Sequence, residues 1–347
     1  MALLKVFFLS LYVVLAAGCT ATSVSNSLGA VRHSTDFEPS AHYYSLKAEG
    51  RFDDAIAQLE PGLTEQWKRT PGKDPESRAS ELEELADCYA GAGKLERADQ
   101  LYAQASAVLN QRPSVTRSGL ANRPRILLLR HWVNVQFALK QYQLAQSNLV
   151  ELLAPTSDEQ MTSALARSRP FYNLLLAKSL AAQAKYSEAL PILEKLCNGP
   201  QGVNEYRKDA DYYVRVNADV DLADCCARLG RGSEVDGILK PLVRTMAETG
   251  DSTLTAWTKA KLARTWGISG RQTEAIQLYQ EVVNLYANNP APSSKLPPRQ
   301  CIVEPLAFKW RITKSDQLAD MNDYADLLDA MGRKQEAGDI RKRALAT

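Results

Sequence analysis

The chain has 347 residues, with 42 basic and 40 acidic side chains and a formal net charge of +2. So small a surplus excludes bulk attraction to nucleic acid or to an anionic membrane surface. With three histidines (His33, His42 and His131) and six cysteines in the whole chain, no zinc or haem site is expected, and no metal or cofactor is assigned.

The chain opens on MALLKVFFLSLYVVLAAGCT. One early cation, Lys5, precedes an apolar run from Val6 to Leu15, and small residues follow as far as Gly18, which is the layout of an export signal. About ten apolar residues are too few for a hydrocarbon core that needs about 20, so residues 1–18 are expected to be a cleaved signal peptide and not a span. Ala16-Ala17-Gly18-Cys19 resembles the lipobox of bacterial lipoproteins. That resemblance implies acylation of Cys19, a lipid anchor in a bacterial cell envelope and, in a two-membrane organism, outer-membrane placement, because Thr20 follows the cysteine where an aspartate would redirect it. Plain secretion after Gly18 is the alternative. Residues 19–37, with Ser23, Ser25, Ser27 and Ser34 and little periodicity, read as a tether.

From residue 38 onward one pattern recurs. Its copy CYAGAGKLERADQLYAQA, from Cys88 to Ala105, contains Gly91-Ala-Gly93-Lys94, which raises the question of a phosphate loop. Such a loop needs G-x-x-x-x-G-K-[ST] after a buried strand. Here Cys88 stands five before Gly93, Leu95 follows Lys94, and Leu82, Leu85, Ala86 and Tyr89 repeat at helical spacing. The glycine is therefore read as a helix terminator. Equivalent positions are Gly50, Gly93, Lys140, Ala184, Gly230, Gly270 and Gly332. Five residues after each comes a small one: Ala55, Ala98, Ala145, Ala189, Val235, Ala275 and Ala337. Seven before comes a second column: Tyr43, Ala86, Val133, Ala177, Ala223, Ala263 and Ala325. Antiparallel helices joined by a tight turn approach closely only where facing side chains are small. Leu59, Tyr102, Leu149, Leu193, Leu239, Tyr279 and Ile340 are then expected to fill the space between one pair and the next.

These columns resemble the tetratricopeptide repeat (TPR) family. The resemblance covers roughly residues 38–345 and implies an all-α solenoid of about six to seven TPR-like antiparallel helix pairs. Spacings between successive turns are 43, 47, 44, 46, 40 and 62, all longer than the family period of about 34 and similar to the long repeats of kinesin light chains. The expected organisation is repeats 1–6 over 38–287, a Pro-rich insertion NNPAPSSKLPPRQCIVEP over 288–306 that accounts for the 62-residue gap, and a last repeat over 307–347. Other Pro- and Gly-rich stretches, Arg69 to Pro75, Gln111 to Arg125, Pro155 to Pro170 and Asn198 to Asn204, are expected to connect helices.

No H-E-x-x-H, G-x-S-x-G or complete Walker loop occurs, and acids such as Glu81, Glu83 and Glu84 read as solvated helix-surface groups, so neither catalysis nor a small-molecule substrate is expected. Cys88 and Cys225 share a repeat position that suits a small buried thiol. By resemblance to the family, the first helix of each repeat lines the inner wall. That places Glu84 and Asp87, then Arg130, His131 and Asn134, then Lys178, then Asp221 and Asp224, then Lys261 and Arg264, then Asp323 and Asp326 along a partner-binding groove. Their signs alternate in blocks. Two readings stay open: these charges grip a protein or peptide segment, or neighbouring first helices pair them with one another. In family members that clamp a chaperone's C-terminal carboxylate, lysine and asparagine recur; Arg130 and Asn134 imitate part of that set, but Leu175, Asn217 and Asp221 replace the rest. The alternative function is a structural subunit of a cell-envelope assembly that uses its outer surface or last repeat.

Overall fold

The computed structural model describes residues 41–72, 74–111, 123–155, 159–198, 210–289 and 314–346. The leader, Cys19, the tether and residues 290–306 of the expected insertion, Cys301 included, lie outside the described residues. Among these residues the chain forms fourteen helices: α1 (Ala41–Ala48), α2 (Phe52–Arg69), α3 (Pro75–Gly91), α4 (Leu95–Asn110), α5 (Arg123–Ala138), α6 (Tyr142–Leu153), α7 (Glu159–Ala182), α8 (Tyr186–Cys197), α9 (Ala210–Arg228), α10 (Gly232–Glu248), α11 (Ser252–Ile268), α12 (Gln272–Asn288), α13 (Lys314–Ala330) and α14 (Lys334–Ala346). Each packs on the next, and they fall into seven pairs whose odd-numbered members are the first helices.

One turn geometry joins every pair. Gly50, Gly93, Lys140, Ala184, Gly230, Gly270 and Gly332 all have positive φ, between 58° and 84°. The next residue's amide donates to the carbonyl five residues back, as in Arg51 N to Leu46 O and Gln141 N to Gln136 O, both 2.8 Å. This 6→1 bond closes the first helix and leaves the chain reversed. Glycine adopts the conformation freely, whereas Lys140 and Ala184, at φ 58° and 60°, carry a Cβ that costs roughly 1–2 kcal/mol there. Lys140→Gly and Ala184→Gly should each stabilise the fold by about 0.5–1 kcal/mol once the freer unfolded chain is counted, seen as a raised urea unfolding midpoint. A drop in both midpoints would contradict the strain. After four of the turns an arginine binds a carboxylate three residues on, Arg51 with Asp54, Arg231 with Glu234, Arg271 with Glu274 and Arg333 with Glu336, at Nε distances of 2.7–3.0 Å. The acids also favour the positive end of the second helix.

Every residue of both small columns is buried, from Ala55 and Ala86 through Ala337 and Ala325, and the large column from Leu59 to Ile340 is buried too. Each apolar cluster spans two neighbouring pairs. Leu149 and Val133 of α5/α6 pack with Tyr172 and Leu175 of α7, Leu193 and Ala177 of α7/α8 with Val214 and Ala218 of α9, and Tyr279 of α12 with Tyr324 of α13, whose rings stack at 5.0 Å. No unit closes a core by itself, which is how linear repeats are stabilised.

Polar contacts repeat as well. Asp99 and Asp236, each six residues past a turn, accept an indole N–H from the next first helix, Trp132 at 2.6 Å and Trp266 at 2.7 Å, and also a contact from the residue after the next turn, Gln141 and Arg271.

One detail extends the sequence expectation and one differs from it. Gly91 is not part of the turn but lies buried within α3, where a Cβ would stand 2.5 Å from the Phe52 ring of α2. The stretch from Pro155 to Pro170 is not a connector throughout, since α7 begins at Glu159 and carries Pro170 inside it. The run before that proline is built from helix-tolerant residues, and one missing N–H does not outweigh them in a helix packed on its neighbours.

Candidate functional site

The first helices also pack on one another, α3 on α5, α7 on α9, α9 on α11 and α11 on α13. Charged and hydroxyl side chains tie this layer together across every junction. Between α1 and α3, Lys47 Nζ stands 2.7 Å from Glu84 Oε1, to which Tyr43 also donates at 2.6 Å. Between α3 and α5, His131 Nδ1 lies 3.0 Å from Asp87 Oδ1 and 3.4 Å from Glu83 Oε1. Arg130 Nε donates to the Tyr172 hydroxyl of α7 at 3.2 Å. Lys178 of α7 meets Asp221 of α9 at 2.8 Å. Arg264 of α11 bridges Asp224 of α9 and Asp323 of α13, 3.6 Å from each. Lys261 meets Asp320 of α13 at 2.5 Å.

Burial separates these contacts energetically. The half-exposed pairs, such as Arg264 with Asp323, contribute under about 1 kcal/mol each. Asp87 and Asp320 are different, being 4% and 1% exposed, and each accepts a tyrosine hydroxyl from a second helix, Tyr102 of α4 and Tyr286 of α12. Burial works to raise the Asp87 carboxyl, but His131, Lys47 and Tyr102 hold it below the usual carboxylate range. For Asp320 burial prevails, and the carboxyl lies above that range despite Lys261 and Tyr286.

The predicted groove residues therefore divide. Glu84, Asp87, Arg130, His131, Lys178, Asp221, Asp224, Lys261, Arg264 and Asp323 all reach a neighbouring first helix. Asn134 donates to the Arg130 carbonyl of its own helix at 3.0 Å. Asp326 is exposed and binds Arg341 of α14 at 2.6 Å. Of the two open readings, mutual pairing of the charges is present in the structure.

Three charged members of the layer, Lys47, Glu83 and Asp320, are absent from the groove expected from the sequence, as are the two tyrosines, Tyr43 and Tyr172. Glu83 corrects the sequence reading directly: with a side chain 16% exposed, it is not a solvated surface acid but is enclosed where α3 meets α5. The available signal was the i,i+4 pair Glu83 and Asp87, two acids on one face that need cations opposite. Asp320 was masked by a run of acids at near-helical spacing, Asp316, Asp320, Asp323, Asp326 and Asp329, which does not say which one turns inward. Cys88 and Cys225 are buried as expected, and both are free thiols.

No protein-family model matches the chain, and no curated protein does. Among solved structures, aspartyl phosphate phosphatase F from Bacillus subtilis superposes with a TM-score of 0.51 at 13% identity, covering 88% of this chain and 68% of that one. A Podosopora anserina kinesin light chain with nearly identical TPR-like repeats matches at TM-score 0.47 and 21% identity, over 62% of this chain and 98% of that one. A Rap protein complexed with Competence and Sporulation Factor matches at 0.43 and 12%, over 88% and 95%. The deciding observation is internal: seven left-handed turns, each followed after five residues by a fully buried small residue and, in all but the first, preceded by another at seven. The fold is a TPR-like α-solenoid. In this TPR-like chain no described helix is long and apolar enough to cross a membrane, and among the described residues no group of three or more His, Cys, Asp or Glu side chains is placed to hold a metal ion.

Proposed function

We propose that this chain is an exported, lipid-anchored TPR-like scaffold that binds protein or peptide segments along its first-helix face. Residues 1–18 serve as the signal, Cys19 as the acylated anchor, residues 19–37 as the tether, residues 38–287 and 307–347 as the repeats, and residues 288–306 as a connector. The observation that supports binding is the unbroken first-helix layer, whose side chains are held in place by neighbours before any partner arrives. Pre-ordered polar groups lower the entropy lost on docking, and alternating sign sets the register of an extended segment.

The same pairing favours a second reading, a structural subunit of an envelope assembly, because charges already satisfied by one another leave a modest field for a ligand. Reversing Lys261 would not separate the two, since it would bury a second negative charge against Asp320. A photo-reactive amino acid at Arg264 or Asn134, compared with one at Lys240 on the second helix α10, does so. Adducts with a protein of the same membranes from 264 and 134 but not 240 are expected. Adducts only from 240 would favour the structural subunit. The Cys19→Ser variant, fractionated alongside, should leave the membrane; its retention there would remove the anchor from the proposal.

A further inference from the structure

The junction of the first three units holds more acid than base. Facing one another are Tyr43 and Lys47 from α1, Glu83, Glu84, Asp87 and Cys88 from α3, Tyr102 from α4, and His131 from α5, with Arg130 beside it. Asp87 is the hub: Tyr102 donates to it, His131 stands 3.0 Å away and Lys47 3.9 Å away. Glu84 is held by Lys47 and Tyr43. Glu83, 3.4 Å from His131, has only that partner among the cations nearest it besides the more distant Lys47. With His131 neutral, three carboxylates confront the single ammonium of Lys47 in a mostly enclosed space. Protonating His131 removes one excess negative charge and protonating Glu83 removes the other, so the arrangement is balanced only when both protons are aboard.

We infer that Glu83, Asp87 and His131 form a proton-operated clasp between α3 and α5, closed when His131 and Glu83 are protonated and loosened when those protons leave. The Glu83 part of the change falls near neutrality, and the His131 part lies above the ordinary histidine value. Burial lowers the affinity of His131 for its proton, but Asp87 and Glu83 outweigh that and raise its pKa above the ordinary histidine value, with Arg130 opposing them. Burial pushes the Glu83 carboxyl up to about 7, with Asp87 and Glu84 adding to the rise and His131 and Lys47 opposing it. Both shifts have one sign. A raised pKa in the folded state means that the folded chain binds protons the unfolded chain would release, so stability falls as pH rises. For Glu83 this fall runs from its unfolded value up to about 7; for His131 it runs through its raised value. Asp87, held low, acts oppositely and only in acid, where its contribution is lost as pH falls through its depressed value.

Hydrogen exchange of the full chain, read by mass spectrometry at pH 6.0 and 8.5 and corrected for intrinsic rates, tests the clasp. Peptides from α3 and α5 should lose protection at the higher pH, roughly tenfold for each pK unit of the shifted range that lies between the two pH values, which for Glu83 is about one unit, from 6.0 to about 7, while peptides from α10 change little. Glu83→Gln, which keeps the shape without the charge, should lessen the loss at pH 8.5, leaving only the part that follows the His131 proton. His131→Gln should show the loosened state already at pH 6.0. Equal protection at both pH values in the native chain, or an undiminished pH effect in Glu83→Gln, would overturn the inference. If His131→Gln does not fold, the His131 ring-proton titration in the native chain decides: a midpoint above that of an ordinary histidine agrees with the clasp, and one at or below it rules the clasp out.

Discussion

Replacing Lys261 by methionine should destabilise the protein by about 3–5 kcal/mol, the range seen when one partner of a buried ion pair is removed. Asp320 is 1% exposed and is held by the Lys261 ammonium and the Tyr286 hydroxyl, with Asp323 nearby adding repulsion. Without the ammonium, a carboxylate already above its usual range would rise further and take a proton on folding. The deficit of Lys261→Met should therefore shrink as pH falls. The pair itself is worth much less than its half-removal. Lys261→Met combined with Asp320→Leu should recover most of the loss, because apolar residues of similar volume often match or exceed a buried ion pair. A urea-unfolding double-mutant cycle measures this. A single variant within about 1 kcal/mol of the native chain would show that water reaches Asp320 and that the junction between α11 and α13 is not a dry contact.

The second large effect concerns a residue with no polar atoms in its side chain. Ala275 is fully buried one turn before Tyr279, whose ring stacks on Tyr324. Ala275→Leu adds three carbons at the point where α11 and α12 cross, and Ala98→Leu does the same between α3 and α4. Overpacking of this kind costs about 1–3 kcal/mol, and both variants should show a lowered melting midpoint. Leucine at the exposed Ala103, on α4 beside Tyr102, serves as the control and should leave the midpoint nearly unmoved. Unchanged melting in Ala275→Leu and Ala98→Leu would mean that the helices of a pair do not touch at the small columns.

Helix pairing was legible because it depends on side-chain volume, which a single residue type declares. Alanine at a fixed distance from glycine could be read at Ala98 and Ala275, and the same register carried through Lys140 and Ala184, where the backbone takes the left-handed form without glycine. Direction of charge was less legible. Lys178 and Asp221 lie 43 positions apart, and their meeting depends on how far successive units rotate, which no local spacing reveals. Glu83 was misread for the same reason: beside Glu81 and Glu84 it looks like one more wet acid until α5 brings His131 against it. Phe52 over Gly91 was hidden too, because the reason for that glycine stands 39 residues upstream on another helix.

Since Leu149 is covered partly by Tyr172, and Leu193 partly by Val214, each unit owns only half of what shields it from water. Severing the polypeptide at any of the seven reversals would thus bare oily surface on both fragments, and neither piece would inherit a finished interior. Length in this protein is accordingly a form of mutual insurance: the ends are the weakest members, and the middle survives because it is flanked.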